Sequence, residues 1–288
     1  MPPKSQSTIR RFQLGGELRR LREQAALTME DVEQLDGINQ TTLSRVEKGN
    51  GSLKRASDLE RLLKRYQVTD PEDKEFLLEL HRNALAKGWW SPFRSYMPSG
   101  MMTFVQLEGG AHTIRAWQPN IIHGLLQTED YARALFEQHR AVDDTTLEFQ
   151  EKHVELRRTR QDIITRADSP TRLSVIQDEA SLRHIYAGTM RAQFDRIIEL
   201  SSLPNVEVQI LPFCKGGTVG GAGDFTLLDF EEGVLDPVVQ ADTVMGTSTM
   251  TDKRSEVQRF TRRFDSLRAT ALGPAETPDF LHDLARKM

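Results

Sequence analysis

Residues 28–49, TMEDVEQLDGINQTTLSRVEKG, leave the chain few ways to fold. Thr28 is a good helix cap, and Asp31 three positions on completes an acidic variant of the capping box, so a helix is expected from Met29. Leu35-Asp36-Gly37 ends it, because glycine enters the left-handed region at little steric cost. Only Gly37 and Ile38 stand before Asn39, itself a cap for a second short helix that runs from Gln40 to about Lys48 and stops at Gly49. Two short helices joined by a tight glycine turn make a helix-turn-helix.

Leu43 and Val46 must then face inward, which turns Gln40, Thr41, Ser44 and Arg45 outward near the exposed start of the second helix. Those side chains suit base edges. Arg45 can bond guanine through two hydrogen bonds, Gln40 can do the same with adenine, and Thr41 offers thymine a hydroxyl and a methyl group. Attachment to the backbone falls to helix N-termini and nearby polar groups, with Thr28, Arg19, Asn39 and Lys48 as the phosphate candidates. The plainer alternative is a bundle that binds protein, but packing alone gives no reason for an outward Gln/Thr/Ser/Arg set.

Three more helices complete the N-terminal part. Leu14, Leu18, Leu21 and Ala25 recur at three- and four-residue steps, with Arg19, Arg20 and Arg22 beside the stripe. A fourth helix, from about Lys54 to Tyr66, carries Leu59, Leu62, Leu63 and Tyr66 inward. A fifth begins at Asp70-Pro71-Glu72-Asp73, where cap, first-turn proline and acidic first turn agree, and runs to about Lys87. This order, with LGGELRRLREQAALT, DVEQLDGINQTTLSRVEKG and DLERLLKRYQV, resembles the Xre family of lambda-repressor-like helix-turn-helix domains over residues 12–68. The resemblance implies a mainly α five-helix domain and a salt bridge between Arg22 and Glu47. Glu33 departs from the alanine usual in that family, and Met29 stands near a position that often carries a phosphate-binding glutamine, so phosphate contacts are expected to differ.

Charge divides the same way. The 288 residues carry a net charge of −4. Residues 1–69 hold 13 Lys and Arg against 9 Asp and Glu, a surplus of four positive charges, and the remainder has a deficit of eight. A basic end on an acidic chain suits nucleic acid, although a surplus of four also suits a solvated face. The length suggests two domains. No apolar run approaches the roughly 18 residues of a membrane span, and MPPKSQSTIRR lacks the apolar centre of a signal peptide, so a cytoplasmic protein is expected. The single cysteine, Cys214, excludes an intramolecular disulfide.

The domain plan is 1–87 for the helix-turn-helix domain, 88–102 for a linker, and 103–288 for an α+β domain. The linker contains GWWSPFRSYMPSGMM, without period, and its paired tryptophans are expected to dock against one domain. In the second domain Thr113–Trp117, Leu173–Ile176, Val206–Leu211, Phe225–Phe230 and Pro237–Ala241 read as strands. Helices are expected over 125–139, 145–167, 188–202, 251–271 and 278–287, which gives an α+β fold on a small sheet.

A search of this half for chemistry finds no catalytic set. Histidines 112, 123, 153, 184 and 282 form no metal-binding pair, so no metal and no cofactor are expected. The glycines of KGGTVGGAG lack the Lys-Ser/Thr of a phosphate loop and read as a connection between strands. Cys214, near a strand end without a patterned histidine, reads as a buried thiol and not as a nucleophile. Asp178 and Glu179 are adjacent at a helix start, where acidic residues are favoured in any case.

FVQLEGGAHTIRAW, HGLLQTEDYARAL, RRTRQDIITRADSPTRLSVIQDEASLR, NVEVQILPF and GDFTLLDF resemble the C-terminal domain of many actinobacterial Xre regulators, an antitoxin-like family that includes WhiJ-type proteins. His123 stands where that family commonly has proline. The resemblance implies a transcription regulator that holds double-stranded operator DNA with one domain and receives a small-molecule ligand, a small partner protein or a second subunit with the other; a repressor acting as a homodimer is expected, because one recognition helix contacts too few base pairs for useful specificity. An antitoxin-like module that neutralises a small protein, with DNA binding secondary, is the rival, and an enzyme is not expected.

Overall fold

The computed structural model describes residues 6–49, 51–85, 89–98, 100–184, 188–215, 223–232, 234–242 and 248–288. The chain divides into two compact units, Met1–Ser91 with Glu231–Leu235, and Pro92–Phe230 with Asp236–Met288.

The first unit is built from α1 (Gln6–Gln24), α2 (Met29–Asp36), α3 (Gln40–Glu47), α4 (Ala56–Arg65) and α5 (Pro71–Ala84). Local chemistry sets most of the ends. Thr28 and Asp31 form a reciprocal capping box, and Gly37 closes α2 at φ 68° with its N–H donating to Glu33 O at 3.0 Å. Asn39 Oδ1 accepts from the Thr41 N–H at 2.9 Å, and Gly49, also at φ 68°, follows α3. Asp70 caps α5 through the N–H groups of Glu72 and Asp73, with Pro71 in the first turn. α1 begins well before the apolar stripe that reveals it, and α5 ends at Ala84; residues 86–88, where its end was expected, lie outside the described residues.

One core joins these helices: Leu14 and Leu18 from α1, Val32 from α2, Leu43 and Val46 from α3, Leu59, Leu62 and Leu63 from α4, Leu77 and Leu80 from α5. Removing a leucine of this kind from water is worth about 1.5–3 kcal/mol. α1 and α3 come into close contact at Gly15, where a Cβ would lie 2.3 Å from Val46 O and 2.8 Å from Glu47 O. Leu53 is buried before α4, and its carbonyl lies 2.8 Å from His81 Nε2 of α5.

The second unit contains, in order, α6 (Met101–Glu108), β1 (Thr113–Gln118), α7 (Glu129–Asp143), α8 (Leu147–Thr165), β2 (Arg172–Asp178), α9 (Glu179–Arg183), α10 (Met190–Ser201), β3 (Val206–Leu211), β4 (Phe225–Asp229), β5 (Val238–Asp242), β6 (Ser248–Thr251), α11 (Arg254–Thr270) and α12 (Thr277–Arg286). One sheet of six strands runs β3-β2-β1-β4-β5-β6. β1 pairs parallel with β2, and β2 with β3, each connection passing through two helices; the other pairings are antiparallel. β1 is thus central, with Trp117 opposite both Ile176 and Phe225. Parallel strands covered on both faces are apolar almost throughout, and β2 accordingly buries Leu173, Val175 and Ile176 in near succession.

α11 packs Phe264 and Leu267 against Trp117, Leu211, Phe225 and Leu227. Arg115 and Asp229 join β1 to β4 through two hydrogen bonds of 2.9 and 3.0 Å. Deeper in the unit, Arg160 of α8 makes two bonds to Glu108 of α6, at 2.7 and 2.8 Å, with both side chains almost wholly buried.

Several elements depart from the sequence expectation. The stretch 88–102 contains a 3-10 turn at Ser91–Phe93, a buried Trp90 and Phe93, and the start of α6. The helix expected from Leu125 begins at Glu129, because Gly124–Leu126 forms a 3-10 turn, Gln127 is extended and Thr128 caps the helix. β6 has only four residues and no strong alternation, and it makes the sheet larger than expected. Gly216–Ala222, the glycine-rich segment, lies outside the described residues.

Gly15 offers a test of the α1–α3 crossing. Alanine there gains up to about 1 kcal/mol of helix propensity, but the collision is with backbone carbonyls, and overpacking costs about 1–3 kcal/mol. Gly15→Ala is therefore expected to lower the denaturation midpoint of the first unit, while Gly16→Ala, with nothing within 4 Å, raises it or leaves it unchanged; circular dichroism during urea unfolding of the full chain reads both.

Candidate nucleic-acid interface

α3 buries Leu43 and Val46, at 0% and 2% exposure, and leaves Gln40, Thr41, Thr42, Arg45 and Lys48 exposed with Ser44 half-buried. Its orientation is held by Glu47. Arg22 of α1 donates from Nε to Glu47 Oε1 at 2.7 Å and from Nη2 to Oε2 at 3.0 Å, and its Nη1 donates to Leu27 O at 2.7 Å. Side-chain exposures of 9% and 2% make this a buried, bidentate pair. The hydrogen bond to Glu47 raises the Arg22 pKa above its ordinary value against the opposing effect of burial. Burial, with the Glu47 charge nearby, also raises the Tyr66 hydroxyl well above its usual range.

The phosphate candidates divide. Thr28 Oγ1 accepts from the Asp31 N–H, so this hydroxyl is engaged within its own cap. Asn39 caps α3, and its Nδ2 donates to Glu33 Oε1 at 2.9 Å. Arg19 donates to Glu23 at 2.9 Å on the outside of α1. Lys48 and Arg45 are exposed, and among the described residues neither lies within ion-pair distance of a carboxylate. Gln40 Nε2 donates to Glu33 Oε2 at 2.7 Å.

Lys54 and Arg55 were not singled out from the sequence. Both are exposed immediately before α4, and Arg55 occupies the cap position without a side-chain hydrogen bond to the helix. The first N–H groups of α4 therefore have no side-chain cap beside two cations, an arrangement suited to phosphate. The segment passes close to α3, since a Cβ on Gly51 would lie 3.3 Å from Arg45 Cβ. A basic pair at a helix start that lacks a capping residue was the legible signal.

In the second unit the two adjacent carboxylates, Asp178 and Glu179, have partners within the fold. Asp178 caps α9 by accepting from the Ala180 N–H, and Glu179 pairs with Arg183 and accepts from the Phe213 N–H. No group of three or more His, Cys, Asp or Glu arranged to hold a metal occurs among the described residues. Cys214 is exposed, contrary to the buried thiol expected, because it sits in a 3-10 turn beyond the end of β3 and outside the sheet. An open groove of about 410 Å³ lies beside β3 and α11, but its Arg268 is paired with Glu207 at 3.0 Å and its Gln209 amide donates to Leu272 O at 2.8 Å.

Residues 101–283 match the family model described as a domain of unknown function, DUF5753. The chain belongs to the DUF5753 family. In this DUF5753 protein residues 13–77, from α1 into α5, match a helix-turn-helix domain. No curated protein and no solved structure compared with the chain matches it. The helix-turn-helix domain points to DNA binding and transcription regulation, a regulator more than an enzyme. Among the described residues no helix is long and apolar enough to cross a membrane.

Two histidines of the DUF5753 domain are buried as neutral rings. His123 Nδ1 accepts from the Leu125 N–H at 3.3 Å, and burial, with Arg160 and Arg157 nearby, lowers its pKa to about 3. His153 lies between Phe136 and Phe149, 2.8 Å from Tyr96 O, and burial lowers its pKa to about 4. Burial and then the Asp242 charge raise Asp224 to about 6.

These shifts set a sign. Below the ordinary histidine pKa of 6.5 the unfolded chain takes up protons that folded His123 and His153 refuse, so stability falls as pH drops towards 4. Asp224 works in the opposite direction between 3.8 and about 6, because its folded form keeps a proton the unfolded form has lost, and it offsets one of the two. The net loss is expected to approach about 1.4 kcal/mol per pH unit near pH 5 from these groups. His123→Gln is expected to flatten that slope in urea titrations across pH 4.5–7, whatever it does to stability at pH 7.

The buried pair in α1 and α3 gives a second test. Glu47→Ala strands the Arg22 guanidinium and is expected to cost about 3–5 kcal/mol, whereas a matched apolar replacement of both residues costs much less. A double-mutant cycle on unfolding free energies measures the difference.

Proposed function

We propose that this DUF5753 protein is a sequence-specific DNA-binding transcription regulator, a cytoplasmic repressor without an enzymatic activity of its own. The observation that carries the proposal is the turned α3: Leu43, Val46 and Glu47 are held inside, and Gln40, Thr41 and Arg45 stand outside with Ser44 at their edge. In this reading Gln40, Thr41, Ser44 and Arg45 meet base edges in the major groove. Lys48, Lys54, Arg55 and the start of α4 meet phosphate; Arg19, Thr28 and Asn39 reach it only if the bonds described above are exchanged. The resemblance to actinobacterial Xre regulators of WhiJ type supports the same assignment.

One recognition helix covers too few base pairs for useful specificity, so the operator is read by a homodimer whose two copies engage half-sites about one helical turn apart. The DUF5753 domain then receives the signal, from a small partner protein or a small molecule. The antitoxin-like reading, with neutralisation of that partner as the main task, rests on the resemblance of the C-terminal domain and is supported if the partner co-purifies while DNA shows no sequence preference.

Binding to the protein's own promoter fragment and to random DNA, titrated with salt, tests the proposal. Arg45→Ala is expected to cost about 1–3 kcal/mol on the promoter fragment and little on random DNA. Lys54→Ala with Arg55→Ala is expected to weaken both and to reduce the salt slope by about one unit per lost phosphate contact. Equal, weak binding of the wild type to both fragments removes the regulator reading.

A further inference from the structure

Glu33 joins the two helices of the turn in a way that bears on what Gln40 can read. Its carboxylate, half-buried on α2, receives Asn39 Nδ2 on Oε1 at 2.9 Å and Gln40 Nε2 on Oε2 at 2.7 Å. Asn39 Oδ1 in turn accepts from the Thr41 N–H at 2.9 Å, so the entry to α3 is one connected set of bonds. An ionised carboxylate only accepts, whereas a glutamine amide has a donating end and an accepting end.

That asymmetry restricts Gln40. A free glutamine amide can turn end for end and offer a base either its donor or its acceptor. Here the half-turn sets Gln40 Oε1 against Glu33 Oε2, two acceptors in contact with no proton between them. The nitrogen therefore stays towards α2 with one of its two N–H groups committed to Glu33, and the carbonyl is left as the acceptor that a base can meet.

Resting on the DNA-reading role proposed above, we propose that Glu33 is a positioning residue that fixes base preference at the pair facing Gln40. It holds the Gln40 carbonyl as an acceptor for an exocyclic amino group, adenine N6 or cytosine N4 in the major groove. Thymine O4 and guanine O6, which are acceptors themselves, are disfavoured at the same place. Glu33 touches no base in this arrangement; it acts by denying Gln40 the rotation that makes a glutamine permissive.

Selection of bound sequences from a randomised duplex library, with the full chain, tests the proposal. Three proteins are compared: wild type, Gln40→Ala and Glu33→Gln. The last keeps the shape of the side chain but can donate as well as accept, so the half-turn of Gln40 is no longer penalised. The wild type is expected to select a motif with one pair whose identity depends on Gln40, and to lose affinity when the exocyclic amino group of that pair, adenine N6 or cytosine N4, is removed by base replacement. Gln40→Ala is expected to lose that preference, and Glu33→Gln to relax it at the same pair by about tenfold, admitting guanine and thymine, with the other pairs unchanged. A Glu33→Gln protein that keeps the wild-type preference at that pair overturns the proposal. So does one that loses preference at all pairs alike, since Glu33 would then merely support the helix, and so does a wild-type affinity that is unchanged when the exocyclic amino group of the Gln40-dependent pair is removed, with purine in place of adenine or pyrimidin-2-one in place of cytosine. A wild type that selects no motif removes the DNA-reading proposal and this one with it, and is distinguishable from the other outcomes by the wild-type library alone.

Discussion

The first unit depends on a single buried guanidinium. Arg22 meets both oxygens of Glu47 and the carbonyl of Leu27, so one side chain of α1 ties together the end of α3 and the loop that leads into α2. A buried charge without its partner is costly, which makes any rotation of α3 that parts the two unfavourable. Gly15 permits the approach, because only a hydrogen fits where α1 meets the carbonyls of Val46 and Glu47. The outward face of α3 is therefore a consequence of what its inward face must satisfy. A rigid helix is the kind of element from which base edges can be read accurately.

The second unit solves a similar problem with similar means. Arg160 and Glu108 tie α8 to α6 in surroundings that leave both side chains under one-tenth exposed. Arg157, half-buried, has a neutral partner in Gln127 Oε1 at 2.6 Å and the ring of Phe136 at 4.6 Å, and its pKa falls to about 10 through desolvation and the Arg160 charge. Burial, with the two guanidiniums nearby, keeps His123 unprotonated. Perturbed groups often mark catalytic sites, but each of these is explained by a structural partner.

Polar side chains around the turn fall into two kinds. Thr28 and Asn39 complete helix ends, and Glu33 gathers the amides of Asn39 and Gln40. Arg45, Lys48, Lys54 and Arg55 stand exposed along α3 and the start of α4. The surplus positive charge of residues 1–69 includes all four of these cations. A modest surplus is enough when exposed cations are gathered along α3 and just before α4 while acids such as Glu23, Asp31, Glu33 and Glu47 are engaged in internal bonds.

The amino-acid sequence by itself determined the helix-turn-helix. Thr28, Gly37, Asn39, Gly49 and Asp70 act on neighbours within one helical turn, and the inward leucines repeat at the helical period, so both signals can be read without knowing the fold. Five of the six strands were legible for the same reason, as short apolar or alternating runs. Only the tertiary structure decided that β1 lies between β2 and β4, that the four residues of β6 complete the sheet, that α6 forms directly after the aperiodic stretch of aromatic, proline and glycine residues, and that Cys214 is exposed. It also decided which acid receives Gln40. Strand order, the pairing of a short edge strand and the partner of a polar side chain depend on groups brought together from distant or differently oriented segments, and no local spacing records which of them will meet.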